Sequence, residues 1–388
     1  MSLEHHICER VKNTPPSGIR KYFDIVNEMD DVISLGIGEP DFVTPENIIE
    51  KGVMALESGE THYSSNSGYV ELREEISNYV ERKYGLEYEE KEEILVTVGA
   101  SEAIDVLLRC IVEAGDEIII PEPSFVAYKG CTNFVGGTVV TIPLKEENEF
   151  KLTLAELENA VTDKTKALIF PFPCNPTGAV MLKEDMDKIV DFLAKKDILI
   201  ISDEIYAELT YGDKRHVSIA SYPELKDKTV FVSGFSKAFA MTGWRLGYAC
   251  GPSEIISAMK KIHQYAIMCA PTPAQFAAVE ALRNGDDAVA RMRKVYDRRR
   301  RLIVNGFRRM GFSCFEPLGA FYAFPNISST GLTSDEFCDR LLKEKKVLAI
   351  PGNTFGDSGD GFIRATYANS DENIIEAIKR IESFVKEL

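Results

Sequence analysis

Short apolar runs and amphipathic helical patterns alternate through the middle of this chain, and that alternation limits the folds open to it. Ile94 to Val98, Glu117 to Ile120, Val139 to Ile142, Ala167 to Phe170, Ile198 to Ile201, Thr229 to Val232 and Leu246 to Cys250 read as strands of the buried type. Helices are expected over 70–84, from Gly99 to about Ala114, from Pro252 to about Ala266 and, after Pro271-Thr272-Pro273, to Arg283. Strand–helix alternation of this kind implies a mostly parallel sheet with crossover helices, and ligands of such sheets bind at the strand C-terminal ends. The expected fold class is α/β. A large domain over 46–285 holds a mostly parallel seven-stranded sheet flanked by helices. A small α+β domain is formed by 1–45 with 286–388, its strands near Gly319–Phe324, Val347–Gly352 and Gly361–Tyr367 and a helix from Thr333 to Lys345.

Between the last two runs of the large domain lies one lysine, Lys237, among Ser236, Ala238, Phe239 and Ala240. Burial disfavours the charged form of lysine, and a neutral amine attacks carbonyl carbon to give a Schiff base. Ser236 and Arg245 flank it and suit a phosphate, one as a hydroxyl donor and the other as a forked cation. A carbonyl and a phosphate held at one lysine describe pyridoxal 5′-phosphate. The plainer alternative is a structural lysine in a strand-to-strand loop.

Other positions carry matching chemistry. Gly99-Ala100-Ser101 follows a strand and opens a helix, where unpaired N–H groups and the helix dipole converge on an anion. Asp203 ends the apolar run Ile198 to Ser202, and a buried acid needs a partner. A protonated pyridine nitrogen is one such partner, and an ordinary helix N-cap is the other reading. Phe125 stands just past a strand end, where an aromatic either stacks on a flat heterocycle or packs in the core. Arg364 sits mid-strand between apolar neighbours, either to hold a carboxylate bidentately or to pair with a nearby acid. Gly36 and Gly38 allow close backbone approach, and Asn175-Pro176-Thr177-Gly178 is a tight turn. Thr44-Pro45-Glu46 looks like a helix start with Thr44 as its cap.

Ser236-Lys237 followed by Gly243-Trp244-Arg245-Leu246-Gly247 resembles the lysine signature of the class I/II aminotransferases, fold-type I pyridoxal phosphate enzymes, with Arg245 eight residues after Lys237. Leu35-Gly36-Ile37-Gly38-Glu39-Pro40-Asp41-Phe42, Tyr63 to Gly68, Asn175-Pro176-Thr177-Gly178, Asp203-Glu204-Ile205-Tyr206 and Phe362-Ile363-Arg364 resemble further motifs of that family, in the family's order. The resemblance covers essentially the whole chain. It implies that Lys237 carries the cofactor and moves the substrate's Cα proton, and that Asp203 pairs with the ring nitrogen. Asn175 and Tyr206 would bind the phenolic oxygen, and Phe125 would stack on the ring. Ala100, Ser101, Ser236 and Arg245 would hold the phosphate. Gly38, Asn175 and Arg364 would bind the substrate carboxylate. Tyr63 would reach the phosphate of a neighbouring subunit, which implies a homodimer with shared active sites; a loop tyrosine packed by its own ring is the alternative.

The implied reaction moves an amino group from an L-amino acid (aspartate, aromatic or broad range) to a 2-oxo acid, with 2-oxoglutarate the expected acceptor. A carbon–sulfur β-lyase would use the same residues. A non-catalytic regulator that binds the cofactor is a reading of another class, though no DNA-binding module precedes the fold. Some aspartate-specialised relatives carry a cation where Ser101 stands or near Tyr265, so a dedicated dicarboxylate pocket is not expected here; Arg20 is an alternative source of distal charge.

Composition narrows the rest. At 388 residues the chain is long enough for two domains, and its net charge of −16 works against phosphate-rich polymers as partners. An arginine-rich helix is expected at about 287–310; a solvated, ion-paired helix linking two domains fits that charge better than a nucleic-acid site. Eight scattered cysteines without C-x-x-C spacing argue against a metal cluster or disulfide framework and for a reducing cytoplasm. No apolar run approaches membrane-spanning length and the first residues do not resemble a signal peptide, so no membrane partner is expected.

Overall fold

The computed structural model describes residues 3–19, 21–22, 29–213 and 215–388. Most of the stretch from Ile19 to about Met29, whose sequence reads as a short helix, and all of Arg20 lie outside the described residues.

A two-residue strand, β1 (Ile33–Ser34), precedes the main sheet. That sheet is built from β2 (Ile94–Thr97), β3 (Glu117–Glu122), β4 (Thr138–Pro143), β5 (Thr165–Phe170), β6 (Leu199–Asp203), β7 (Thr229–Gly234) and β8 (Gly247–Cys250). Their spatial order is β2-β8-β7-β6-β5-β3-β4. All neighbours are parallel except at β8, which runs antiparallel to both β2 and β7. This is the α/β architecture expected from the alternation of runs. The central strands β5, β6 and β7 are almost wholly buried, as strands covered by helices on both faces must be. One face packs under helices Ala100–Ile111 and Ser253–Ala266, where Ile104, Leu107, Ile256 and Met259 meet Ile118, Ile120 and Val232. The opposite face packs on helix Lys183–Ala194 through Met186, Ile189 and Leu193. Chain direction then puts the ends of β3, β5, β6 and β7 along one edge, so Asp203 and the segment carrying Lys237 emerge side by side.

The C-terminal part adds an antiparallel sheet of β9 (Tyr322–Ala323), β11 (Ile350–Pro351) and β12 (Ile363–Thr366), and a strand β10 (Val347–Leu348). β10 pairs with β1 through Ile33 and Val347, which ties the N-terminal segment to the C-terminal part. The run Val347–Gly352 is therefore not one strand. It switches partners at Ala349, so two residues pair with β1 and two with β12. The expected strand Gly319–Phe324 is regular only at Tyr322–Ala323. Ala320 has a left-handed backbone (φ 56°), which a continuous strand cannot hold.

Two local expectations are corrected. Thr44 does not cap the helix Glu46–Glu57; Pro45 occupies the cap position with no side-chain bond. The Thr44 hydroxyl instead donates to the Ala240 carbonyl (2.7 Å) and accepts from the Trp244 indole N–H (3.0 Å), fastening this segment to the lysine loop. The arginine-rich helix, Asp286–Arg309, is ion-paired as expected but not fully solvated. Arg299 and Arg300 are buried. Arg299 binds Asp41 and Asp371, and Arg300 binds Asp297 and Glu316. Arg298 on the same helix is exposed and binds Asp371. Arg300→Ala is expected to lower stability by about 2 kcal/mol, the scale of hydrogen bonds to charged groups. Arg298→Ala should cost less than about 0.5 kcal/mol. Urea midpoints at constant m-value read both, and equal midpoints would contradict the assignment.

Candidate active site

Asp203 lies at the C-terminal end of β6 and is buried. Its Oδ2 accepts from the Tyr128 hydroxyl (2.7 Å) and its Oδ1 from the Ile205 N–H (3.2 Å). Burial pushes the carboxyl above its ordinary value, and the Tyr128 bond acts the other way. Glu204, the next residue, turns away from this point and binds Ser202, Ser218 and His216. Of the two adjacent acids, only Asp203 serves the cavity. It is not a helix N-cap.

Lys237 follows β7. Its Nζ donates to the Gly38 carbonyl (2.7 Å) and lies 5.8 Å from the ring centres of Tyr206 and Phe321. Burial lowers its pKa to about 8; the nearby arginines add to this and Glu39 opposes it. Gly38 is fixed by space: a Cβ there would come within 2.6 Å of the Tyr322 hydroxyl. That hydroxyl is 2.8 Å from the Tyr206 hydroxyl. Burial pushes both phenols up, so both stay protonated at neutral pH.

Arg364 in β12 is nearly inaccessible to solvent. Its Nη1 donates to Asn175 Oδ1 (2.9 Å) and its Nη2 to the Gly36 carbonyl (2.6 Å), while its Nε is buried with no partner. The guanidinium is sandwiched between the rings of Tyr322 and Phe355, at 4.5 and 4.6 Å. No carboxylate among the described residues pairs with it, which removes the reading of a structural ion pair. A buried guanidinium held only by neutral oxygens is suited to an incoming anion. Asn175 is presented by a turn closed by Gly178 N–H to the Cys174 carbonyl and Cys174 N–H to the Ala179 carbonyl.

At the other end, helix Ala100–Ile111 begins at Gly99, whose φ of 79° favours glycine. A Cβ on Gly99 would also meet Arg245 Nη2 at 2.7 Å. The first N–H groups, those of Ala100 and Ser101, have no acceptor within the helix. Ser101, Ser236 and Arg245 line the same cavity, and Arg245 Nη1 is steadied by the Thr242 carbonyl (2.9 Å). Two hydroxyls, a guanidinium and a helix N-terminus form a cup for a phosphate.

Eleven of the twelve sequence-expected positions line this one cavity of about 340 Å³: Gly38, Ala100, Ser101, Phe125, Asn175, Asp203, Tyr206, Ser236, Lys237, Arg245 and Arg364. Tyr63 does not; its ring is 79% exposed on the outer surface. Sequence reading missed Tyr128 and Tyr322. Neither lies in a distinctive motif, and only the packing shows that one holds Asp203 and the other holds Tyr206 and Arg364. The donor set fits a flat phosphorylated aldehyde: a phosphate cup at one end, an acid and an amine at the middle, and a carboxylate site beyond.

Comparison with known proteins agrees with this geometry. The model of the family Aminotransferase class I and II matches residues 30–381. The chain is 47% identical to an aspartate aminotransferase of Pyrococcus abyssi over 98% of each chain. It is 43% identical to aromatic-amino-acid aminotransferase 2 of Thermococcus litoralis, again over 98% of each. The crystal structure of an aromatic aminotransferase from Pyrococcus horikoshii superposes with a TM-score of 0.90 at 46% identity, covering 94% of this chain and 98% of that one. Spanning its relatives nearly end to end, with the site residues gathered at one sheet edge, this chain belongs to the class I and II aminotransferases, a family that uses pyridoxal phosphate.

Proposed function

We propose that this aminotransferase works with pyridoxal phosphate attached at Lys237, and that it transfers the amino group of an L-amino acid to a 2-oxo acid such as 2-oxoglutarate. The observation that carries this reading is one cavity in which an amine of lowered pKa, a buried acid and a buried guanidinium with no carboxylate partner among the described residues line the same space. When bound, pyridoxal phosphate supplies an aldehyde that condenses with amines and a ring that takes up electrons.

The residues divide the work by position. Ala100, Ser101, Ser236 and Arg245 hold the phosphate, and Phe125 covers the ring. Asp203, kept in orientation by Tyr128, holds a proton on the ring nitrogen. Asn175 and Tyr206 donate to the phenolic oxygen. Arg364 and the backbone at Gly38 orient the substrate's α-carboxylate, which decides which bond at Cα faces Lys237. Lys237 Nζ takes the proton from Cα as a base and returns a proton as an acid. A neutral amine is needed at the start, so protonation below about 8 suppresses attachment. The rate at which cofactor-free protein turns yellow with pyridoxal phosphate should rise with pH and level off above about 8. A pH-independent rate would contradict that role.

Tyr63, exposed together with Tyr265 and Val43, supports a homodimer in which this tyrosine serves the neighbouring subunit's phosphate site. The division of the chain into 46–285 and 1–45 with 286–388 is supported by the β1–β10 pairing. No helix among the described residues is long and apolar enough to cross a membrane. The eight cysteines are free thiols, which supports a cytoplasmic setting. Borohydride reduction and peptide mapping test the attachment: the label belongs on Lys237, and a label elsewhere overturns the reading. An amino-donor panel with 2-oxoglutarate then resolves aspartate from aromatic donors. Release of pyruvate and ammonia without an oxo acid would mark a lyase instead.

A further inference from the structure

Helices Ala100–Ile111 and Ser253–Ala266 pack side by side in the apolar layer over the sheet, and one polar contact crosses between them. His263 is completely buried, and its Nδ1 lies 2.7 Å from Glu102 Oε1. The second carboxylate oxygen of Glu102 accepts the Val98 N–H. His263 Nε2 is buried with no partner. A proton on Nε2 would be left without an acceptor, so the ring carries its proton on Nδ1 and donates it to Glu102.

This pair stands directly behind the phosphate cup. Glu102 lies in the first turn of the helix, where a carboxylate is favoured by the helix dipole and would compete with a phosphate if it faced outward. It is instead turned back toward the Val98 N–H. The N–H groups of Glu102 and Ala103 close onto the Gly99 carbonyl. The N–H groups of Ala100 and Ser101 are left for an anion.

We propose that His263 is a positioning residue: it holds Glu102, Glu102 holds the backbone at Val98, and the phosphate cup at Gly99–Ser101 is thereby preformed. The proposal rests on the reading that this cup takes the phosphate of pyridoxal phosphate. Neither residue lines the cavity, so neither takes part in the proton transfers.

The experiment uses His263→Leu, Glu102→Ala, the double variant and His263→Asn, whose amide nitrogen sits near the place of Nδ1. Two readouts are taken: hydrogen exchange of peptides over 97–102 in cofactor-free protein, and the dissociation constant for pyridoxal phosphate. Both single variants should exchange faster there and bind the cofactor about tenfold or more weakly, the scale of a lost hydrogen bond to a charged group. The double variant should be no worse than the weaker single, because the two side chains act in one chain of bonds. His263→Asn should recover most of the affinity, and kcat at saturating cofactor should stay within about twofold in every variant, since no reacting group is touched. Additive effects, unchanged exchange in Glu102→Ala, or His263→Asn as weak as His263→Leu would overturn the proposal. Should His263→Leu fail to fold, Glu102→Ala and His263→Asn still decide it. Wild-type protein that binds no pyridoxal phosphate would overturn the functional reading instead, because hydrogen exchange tests the His263–Glu102 link without cofactor.

Discussion

Lys237→Ala is expected to abolish steady-state transamination while pyridoxal phosphate still binds. Among the described residues the Lys237 side chain is the only amine lining the cavity, so on the proposed reading its loss removes both the covalent anchor and the group that carries a proton to and from Cα. General acid–base catalysis alone is worth roughly 10²–10⁴-fold, and loss of the anchor adds to it. Binding survives in part because the phosphate cup and Asp203 do not depend on the lysine. Among the described residues its Nζ makes one hydrogen bond, to the Gly38 carbonyl, besides facing the Tyr206 and Phe321 rings, so the fold should be little disturbed. The check is twofold: turnover with an amino donor and 2-oxoglutarate, and retention of non-covalent cofactor on a desalting column. Retained turnover would refute the role.

Asp203→Asn is expected to lower kcat by about two orders of magnitude or more. The substitution keeps the volume, and its single amide oxygen can still accept from Tyr128, at the loss of the longer bond from the Ile205 N–H. Its main effect is to remove the negative charge that, on the proposed reading, faces the ring nitrogen. Breaking a buried charge pair costs roughly 3–5 kcal/mol, which as a barrier change is on the order of 10²–10⁴-fold. Burial raises the Asp203 carboxyl, so a cationic partner such as the proposed ring N–H would favour its charged form. Affinity for the cofactor should fall less than kcat, because the phosphate contacts remain. An unchanged kcat would mean that the ring nitrogen has another partner.

The main sheet was legible because its central strands are buried on both faces and read as continuous apolar runs; helix Val70–Tyr84 was legible from its period. The small strands of the C-terminal part were not. The run Val347–Gly352 looks like one element, but its halves pair in different sheets, and local sequence carries no information about that. Thr44 shows the same limit: the hydroxyl fits a cap, yet Ala240 and Trp244, about two hundred residues on, claim it. For the site, Lys237, Asp203 and Arg364 stood out because each is a polar residue in an apolar context, which is costly unless it has a purpose, whereas Asn175 was marked only by the resemblance of its turn to the family's.

By its sequence alone this chain determined its layered α/β architecture, its family resemblance and most of the polar side chains that line one cavity, because burial pattern and polar residues in apolar runs are local signals. Only the tertiary structure decided which acid of Asp203-Glu204 faces the cavity, that Tyr128 and Tyr322 hold the site in place, and that Arg364 has no carboxylate partner of its own. Those facts depend on contacts between residues far apart in the chain, and such contacts exist only once the sheet edge and the C-terminal strands are brought together.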